Sequence, residues 1–247
     1  MIAGLTWGAI ALGLAATLVA GFVRGLAGFG LAILLVPVLA LAVPPAEAVL
    51  AGNLLGFLVS FMSLRKQVAD TERSAWIISA VALLFIAPGM LALAAVGPQV
   101  ARLLIALIAI GAFVAVLLPL KPHHVPGTGE TAATGVACGL LTGFAGMPGP
   151  PVVPFYLRRD IPPVVSRASM MSIFLVTQGA GVVVAWALGH VTWHALWFSL
   201  ALYPAVVVGN WLGARAFGHI DARAWRIIAG AVLGAAAVGA VLKLLNA

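Results

Sequence analysis

Charged positions are so sparse along this chain that they act as punctuation. They leave uncharged, mostly apolar runs at residues 1–23, 25–46, 48–64, 74–101, 103–120, 131–157, 168–214 and 227–242. A helix crossing about 30 Å of hydrocarbon needs roughly 20 apolar residues, within a range of about 17–25, so several runs each match one span. The run 168–214 holds two, with the turn expected at Gly189-His190-Val191-Thr192. The pattern reads as an all-α polytopic membrane protein with spans near 46–64, 75–96, 103–120, 164–188, 193–214 and 225–245.

Two runs are interrupted in the same way. Gly21-Phe-Val-Arg24-Gly25-Leu-Ala27-Gly28-Phe-Gly30 is echoed 118 residues later by Gly139-Leu-Leu-Thr142-Gly143-Phe-Ala145-Gly146-Met147-Pro148-Gly149. At the same offset Pro44-Pro45 returns as Pro162-Pro163. Gly/Pro-broken apolar segments in corresponding positions of two halves are a sequence pointer to a transporter binding site. Between Thr131 and Leu157 the break at Gly143–Pro151 leaves arms of about 8–13 residues, or roughly 12–20 Å at 1.5 Å per residue. Such arms fall short of a crossing, so a re-entrant hairpin is expected. A single kinked spanning helix is the alternative. Each half then reads as a hairpin (1–43 and 131–157) followed by three spans. Residues 1–120 form a first repeat and 121–247 a second, within one membrane domain. Three crossings is an odd number, so the second half is expected to be inverted relative to the first.

Composition agrees with the pattern: 64% of residues are hydrophobic and 8% charged, against about 25% charged in soluble domains. The net charge of +7 does not point to nucleic acid. The basic residues are scattered singly, with no basic and aromatic surface to follow a phosphate backbone. Basic residues concentrate in the cytoplasmic loops of membrane proteins. With Arg65, Lys66 and Arg73 in the cytoplasm, Lys121, Arg158, Arg159, Arg215 and Arg223 fall on that side too. Only Arg102 and Lys243 fall on the outer side, with Arg24 in the first motif, and both termini are expected outside. Met1–Val23 lacks the basic start of a cleavable signal peptide and is expected to remain as structure. Trp76 and Trp225 open spans at the inner interface, Trp186 and Trp193 flank the outer turn, and Trp7 and Trp211 read as packing residues. The single cysteine, Cys138, has no partner for a disulfide or a thiol metal pair.

Irregular backbone at membrane depth is tolerated where it lines a cavity or is buried in protein. Two hairpin tips meeting near the midplane would make such a cavity. Gly25, Gly28 and Gly30, with Gly143, Gly146 and Gly149, would let the backbone turn and let a ligand approach the amides. A half-helix starting after each tip aims its free N–H groups and positive end at that space, which favours an anion. Close helix packing is the other role open to these glycines. Arg24 either attracts the anion or reaches the outer interface, since burial of an arginine costs about 3 kcal/mol or more. Arg167 reads as an interface anchor. Acidic residues (Glu47, Asp70, Glu72, Glu130, Asp160, Asp221) fall at helix ends or in loops, where a cation pathway would want one at depth. Glu47 is the one carboxylate with a possible proton-linked role. Asn53, Ser169 and Ser172 would flank the tips, while Thr177, Gln178 and Asn210 read as interhelical hydrogen-bonding residues. His123-His124, His190 and His194 have no ligand set for a metal, and Met170-Met171 reads as core. No Ser-His-Asp set, Walker loop or HExxH is present, so neither an enzyme nor a cofactor is expected.

The pattern resembles the TauE/SafE family of sulfite and organosulfur-anion exporters. The resemblance rests on Arg24-Gly25-Leu-Ala-Gly28-Phe-Gly30 with Pro37, and on Thr142-Gly143-Phe-Ala-Gly146-Met-Pro-Gly149 with Pro154. Pro204-Ala-Val-Val-Val-Gly209-Asn210-Trp-Leu-Gly213-Ala is similar to the family's second half. Met147-Pro148 and Gly149-Pro150-Pro151 depart from the usual glycine cluster. The resemblance implies secondary transport, as an exporter, of sulfite, thiosulfate or an organosulfonate across the bacterial inner membrane, with no nucleotide-binding partner. The expected partners are a small anion and the lipid bilayer, with no nucleic acid; oligomeric state is not legible. A cation or metal permease or a channel on the same repeat, or a non-transporting membrane subunit, are the alternatives.

Overall fold

The computed structural model describes residues 7–62, 64–117 and 125–216. These form α1 (Trp7–Ala27), α2 (Leu31–Ala42), α3 (Pro45–Phe61), α4 (Leu64–Ala69), α5 (Arg73–Ala95), α6 (Pro98–Leu117), α7 (Thr128–Ala145), α8 (Gly149–Leu157), α9 (Pro163–Ala187) and α10 (Trp193–Ala216), with no strand among the described residues. Four stretches, Arg73–Ala95, Pro98–Ala115, Pro163–Ala187 and Trp193–Ala216, are long and apolar enough to cross a membrane. The expected span near 225–245, with Arg223, Trp225 and Lys243, lies outside the described residues, as do Lys121 and His123-His124.

The breaks follow from Gly and Pro chemistry. Pro45 and Pro163 open α3 and α9 at the first helical position, where a missing N–H costs nothing. Gly146 ends α7 in the left-handed region (φ 66). Its N–H bonds Thr142 O at 3.0 Å, and the Met147 N–H bonds Leu141 O at 3.1 Å. After α1, Gly28 (φ 83) and Gly30 (φ 98) turn the chain into α2.

The arms differ from expectation in length. α7 has 18 residues and α8 only 9, or about 27 Å and 14 Å at 1.5 Å per residue. The first arm is therefore not too short to cross. It runs on because Gly135, Gly139 and Gly143 carry no side chain, which lets α7 lie directly on α5 without a break until Gly146. α1 and α2 repeat the inequality with 21 and 12 residues.

That close approach occurs twice. A Cβ on Gly143 would lie 2.6 Å from Met90 N, and one on Gly139 would fall on Ala82 O. In the same manner a Cβ on Gly21 would lie 3.1 Å from Val206 Cα, and one on Gly213 would lie 2.8 Å from Phe22 C. So α7 runs parallel to α5, and α1 runs parallel to α10, backbone against backbone. Leucine at Gly143 or Gly213 is expected to cost about 1–3 kcal/mol or more, because the obstructing atoms are main chain. Gly111→Leu, where a Cβ would meet nothing within 4 Å, should melt like the parent in detergent. Parent-like melting of both interface variants would refute these contacts.

At the centre α3 crosses α9 antiparallel. A Cβ on Gly181 would lie 2.8 Å from Asn53 Nδ2, and one on Gly56 would fall on the Gln178 amide. Each helix thus lays an amide over the other's glycine. Separate contacts tie the ends. The Ser169 hydroxyl accepts the Glu72 N–H at 3.0 Å, and Thr71 and Ser172 share a hydrogen bond of 2.7 Å. Arg159 forks onto Glu72 with two bonds of 2.5 Å, and Ser74 meets Tyr156 at 2.8 Å. At the opposite ends His194 Nδ1 meets Glu47 Oε2 at 2.8 Å, and Arg102 Nε donates to Ala40 O at 2.7 Å. Trp76, Trp186 and Trp193 are exposed. Trp211, read from sequence as a packing residue, is half exposed instead and carries the Arg215 guanidinium 3.6 Å above its ring.

Candidate functional site

The two tips come together around one small cavity. One wall is Arg24 near the end of α1 with Gly30, Leu31 and Ala32 opening α2. The opposite wall is Pro148 and Gly149 opening α8, and Phe174 and Gln178 of α9 complete the lining together with Ile33. In this conformation it has room for about one water-sized body.

Arg24 is only 1% exposed, so the guanidinium lies inside the protein and not at an interface. One terminal nitrogen donates to Ser60 Oγ at 2.5 Å, and Ser60 in turn donates to Gly56 O at 2.7 Å. Nε has no hydrogen-bond partner, and no carboxylate among the described residues contacts the group. A buried, unpaired donor on a permanent cation is costly. A ligand with anionic oxygen would offset that cost.

Backbone donors add to the field. Gly30 gives α2 no side-chain cap, so the N–H groups of its first turn, at Leu31, Ala32 and Ile33, remain for a ligand. α8 is poorer. It also lacks a side-chain cap, but Pro150 and Pro151 occupy its first turn and have no N–H. The two tips, alike in sequence outline, are therefore chemically unequal.

Among the expected site residues, Arg24, Gly30 and Gly149 line the cavity. Gly28 lies beneath Arg167, whose Cγ would be 2.7 Å from an added Cβ, and Gly146 lies beside Val49 O. Gly25 and Gly143 belong to the helix contacts, against Ala214 and Met90. Asn53 donates to Thr142 O at 3.4 Å, and its Oδ1 has no partner. Ser169 and Ser172 are committed to the Thr71–Glu72 turn. Glu47 meets His194 at one end of the bundle, and Cys138 is buried. Among the described residues no group of three or more His, Cys, Asp or Glu could hold a metal.

Two residues of the site were missed. Arg167, read as an interface anchor, is half-buried and donates to Gly25 O at 2.8 Å over the first tip. Gln178, read as an interhelical hydrogen-bonding residue, lines the cavity and leaves Oε1 without a partner. Their signal was spacing: Arg167, Phe174 and Gln178 are seven and four residues apart, which places them on one helical face. Ser169 and Ser172 lie off that face. A cavity holding a cation, an amide and open backbone donors, with no acid in its lining, is suited to a small anion.

A family model described as Sulfite exporter TauE/SafE matches residues 13–240. A protein of Cupriavidus necator described as "Probable sulfite/organosulfonate exporter TauE" is 28% identical over 218 residues, covering 83% of this chain and 83% of its own length. No solved structure matches.

Proposed function

The chain belongs to the sulfite exporter TauE/SafE family, and from that premise we propose that it is a secondary transporter exporting a small sulfur oxyanion, either sulfite, thiosulfate or an organosulfonate, through the cavity between its tips. The observation that carries the reading is Arg24: a fully buried cation, with one unpartnered nitrogen and no carboxylate neighbour among the described residues, facing open helix N-termini. Gly30, Gly149 and Gln178 complete the site, and Arg167 adds positive potential beside it.

The proposed architecture is an inverted repeat in the bacterial inner membrane, with both hairpins re-entrant. What supports it is the pairing of helix ends. α7 runs parallel to α5 while the end of α8 returns to the start of α5, through Tyr156–Ser74 and Arg159–Glu72. α1 runs parallel to α10 while the start of α3 returns to the start of α10, through Glu47–His194. Antiparallel α3 and α9 link these two ends. One hairpin thus opens at the Glu47 end and the other at the Glu72 end, and the basic-loop bias makes the Glu72 end cytoplasmic.

The transport reading is tested by tracer flux in proteoliposomes with sulfite, alkylsulfonates and simple carboxylates. Flux of a sulfur oxyanion above protein-free vesicles is expected, and its absence for every anion refutes the reading. Orientation has its own test. In a Cys138→Ala background, Arg158→Cys should react with an impermeant thiol reagent from the cytoplasm, and Gly189→Cys from outside. Labelling of Arg158→Cys from outside would overturn the second hairpin.

A further inference from the structure

The inequality of the two tips carries an inference about which anion fits. Resting on the transport reading above, we infer that the site binds its substrate in one orientation, with the charged head at the α2 tip and an uncharged, apolar substituent against the α8 tip. Phe174 with the Pro150-Pro151 pair then determines specificity. The head side is built from Arg24, with its unpartnered buried Nε, and the first-turn N–H groups of Leu31 and Ala32, which no side chain caps. All of these are donors and none is an acceptor.

The opposite side is different in kind. A Cβ on Gly149 would meet Ile33 Cδ1 at 3.3 Å and Phe174 Cζ at 3.9 Å, so the start of α8 sits in an apolar collar. Pro148 borders the cavity there. Pro150 and Pro151 remove two of the backbone donors that the corresponding end of α2 retains. The Gln178 amide is the one polar side chain of the lining besides Arg24, so an anion bearing oxygens on every side would leave those turned to Ile33, Pro148 and Phe174 facing hydrocarbon and unpaired, a costly arrangement. An organic sulfonate with a short alkyl group instead matches donors on one side and apolar atoms on the other.

The test uses the full chain in proteoliposomes, with flux of labelled methanesulfonate as the readout. Unlabelled sulfate, methanesulfonate, ethanesulfonate and propanesulfonate serve as competitors. Competition should strengthen about fourfold from methane- to ethanesulfonate, the value of one buried methylene. Sulfate should compete at least roughly tenfold less well than ethanesulfonate, as expected when a charged group is left with unmade hydrogen bonds. Phe174→Ala should erase the chain-length gain, so that unlabelled methane-, ethane- and propanesulfonate compete equally for whatever methanesulfonate flux remains. Pro150→Ala, which restores one donor and leaves Phe174 in place, should move the sulfate-to-ethanesulfonate ratio toward sulfate by about tenfold. Should Phe174→Ala fail to fold, Pro150→Ala still decides. A parent that ranks sulfate at or above ethanesulfonate, or a Pro150→Ala variant with parent ratios, overturns the orientation and leaves anion transport standing. No flux for any sulfonate or for sulfite overturns both.

Discussion

Arg24→Gln is expected to weaken substrate binding by about 1–3 kcal/mol, the loss of a charged hydrogen bond, which is roughly a 5- to 150-fold rise in the dissociation constant, with flux at sub-saturating substrate falling in proportion. Arg24→Lys keeps the charge but loses the planar fork, so its affinity should fall between parent and glutamine. Stability should move the other way. The parent buries a cation without a carboxylate partner among the described residues, and replacing an uncompensated buried charge by a neutral amide lowers the desolvation cost. The ligand-free glutamine variant should therefore melt at or above the parent temperature. That pairing of lost affinity with retained stability separates a ligand-binding arginine from a structural one. A dissociation constant equal to the parent's in Arg24→Gln would remove Arg24 from the site.

Gly28→Val and Gly146→Val are expected to abolish transport while the protein still accumulates in the membrane. Both glycines hold positive φ, 83 and 66, where an L-residue costs roughly 1–2 kcal/mol and a β-branched one more. At Gly28 the added carbon also meets the Arg167 stem at 2.7 Å, and at Gly146 it meets Val49 O at 3.1 Å. The first displaces a cation from the tip, and the second shifts the start of α8. Gly146→Asn should keep partial flux, because asparagine visits the left-handed region. Parent-like flux per reconstituted molecule in both valine variants would confine these glycines to a packing role.

The uncharged runs bracketed the long described helices, since in lipid the lack of charge is itself the signal, while the short α4, carrying Arg65 and Lys66, falls where a loop was expected. They also located both breaks. What they could not give was the use of each glycine. Gly25 and Gly28 look alike in sequence, yet one is pressed against α10 and the other turns the chain beneath Arg167. That distinction depends on a helix far away in the chain. The arm lengths failed for a related reason: Gly143 looked like part of the break, but it continues α7 because α5 accepts a bare backbone there. Arg24 could be read as an unusual charge, while its burial could not. Arg167 and Gln178 needed the helical phase of α9. That phase becomes informative only once Phe174 is known to face the cavity.

The pairing of α1 with α10 has a consequence for biogenesis. α1 leaves the ribosome before α10, with 165 residues of chain between Ala27 and Trp193. At ~5–20 residues per second, roughly ten seconds or more separate their synthesis. Through that interval the early hairpin has no backbone to lie against, and Arg24 has no cavity to occupy. Holding a bare guanidinium in hydrocarbon is unfavourable, so the nascent segment is expected to wait at the membrane surface or beside the insertion machinery. Chains truncated before Trp193 should then be cleared as unassembled protein, because their first helix never finds its mate.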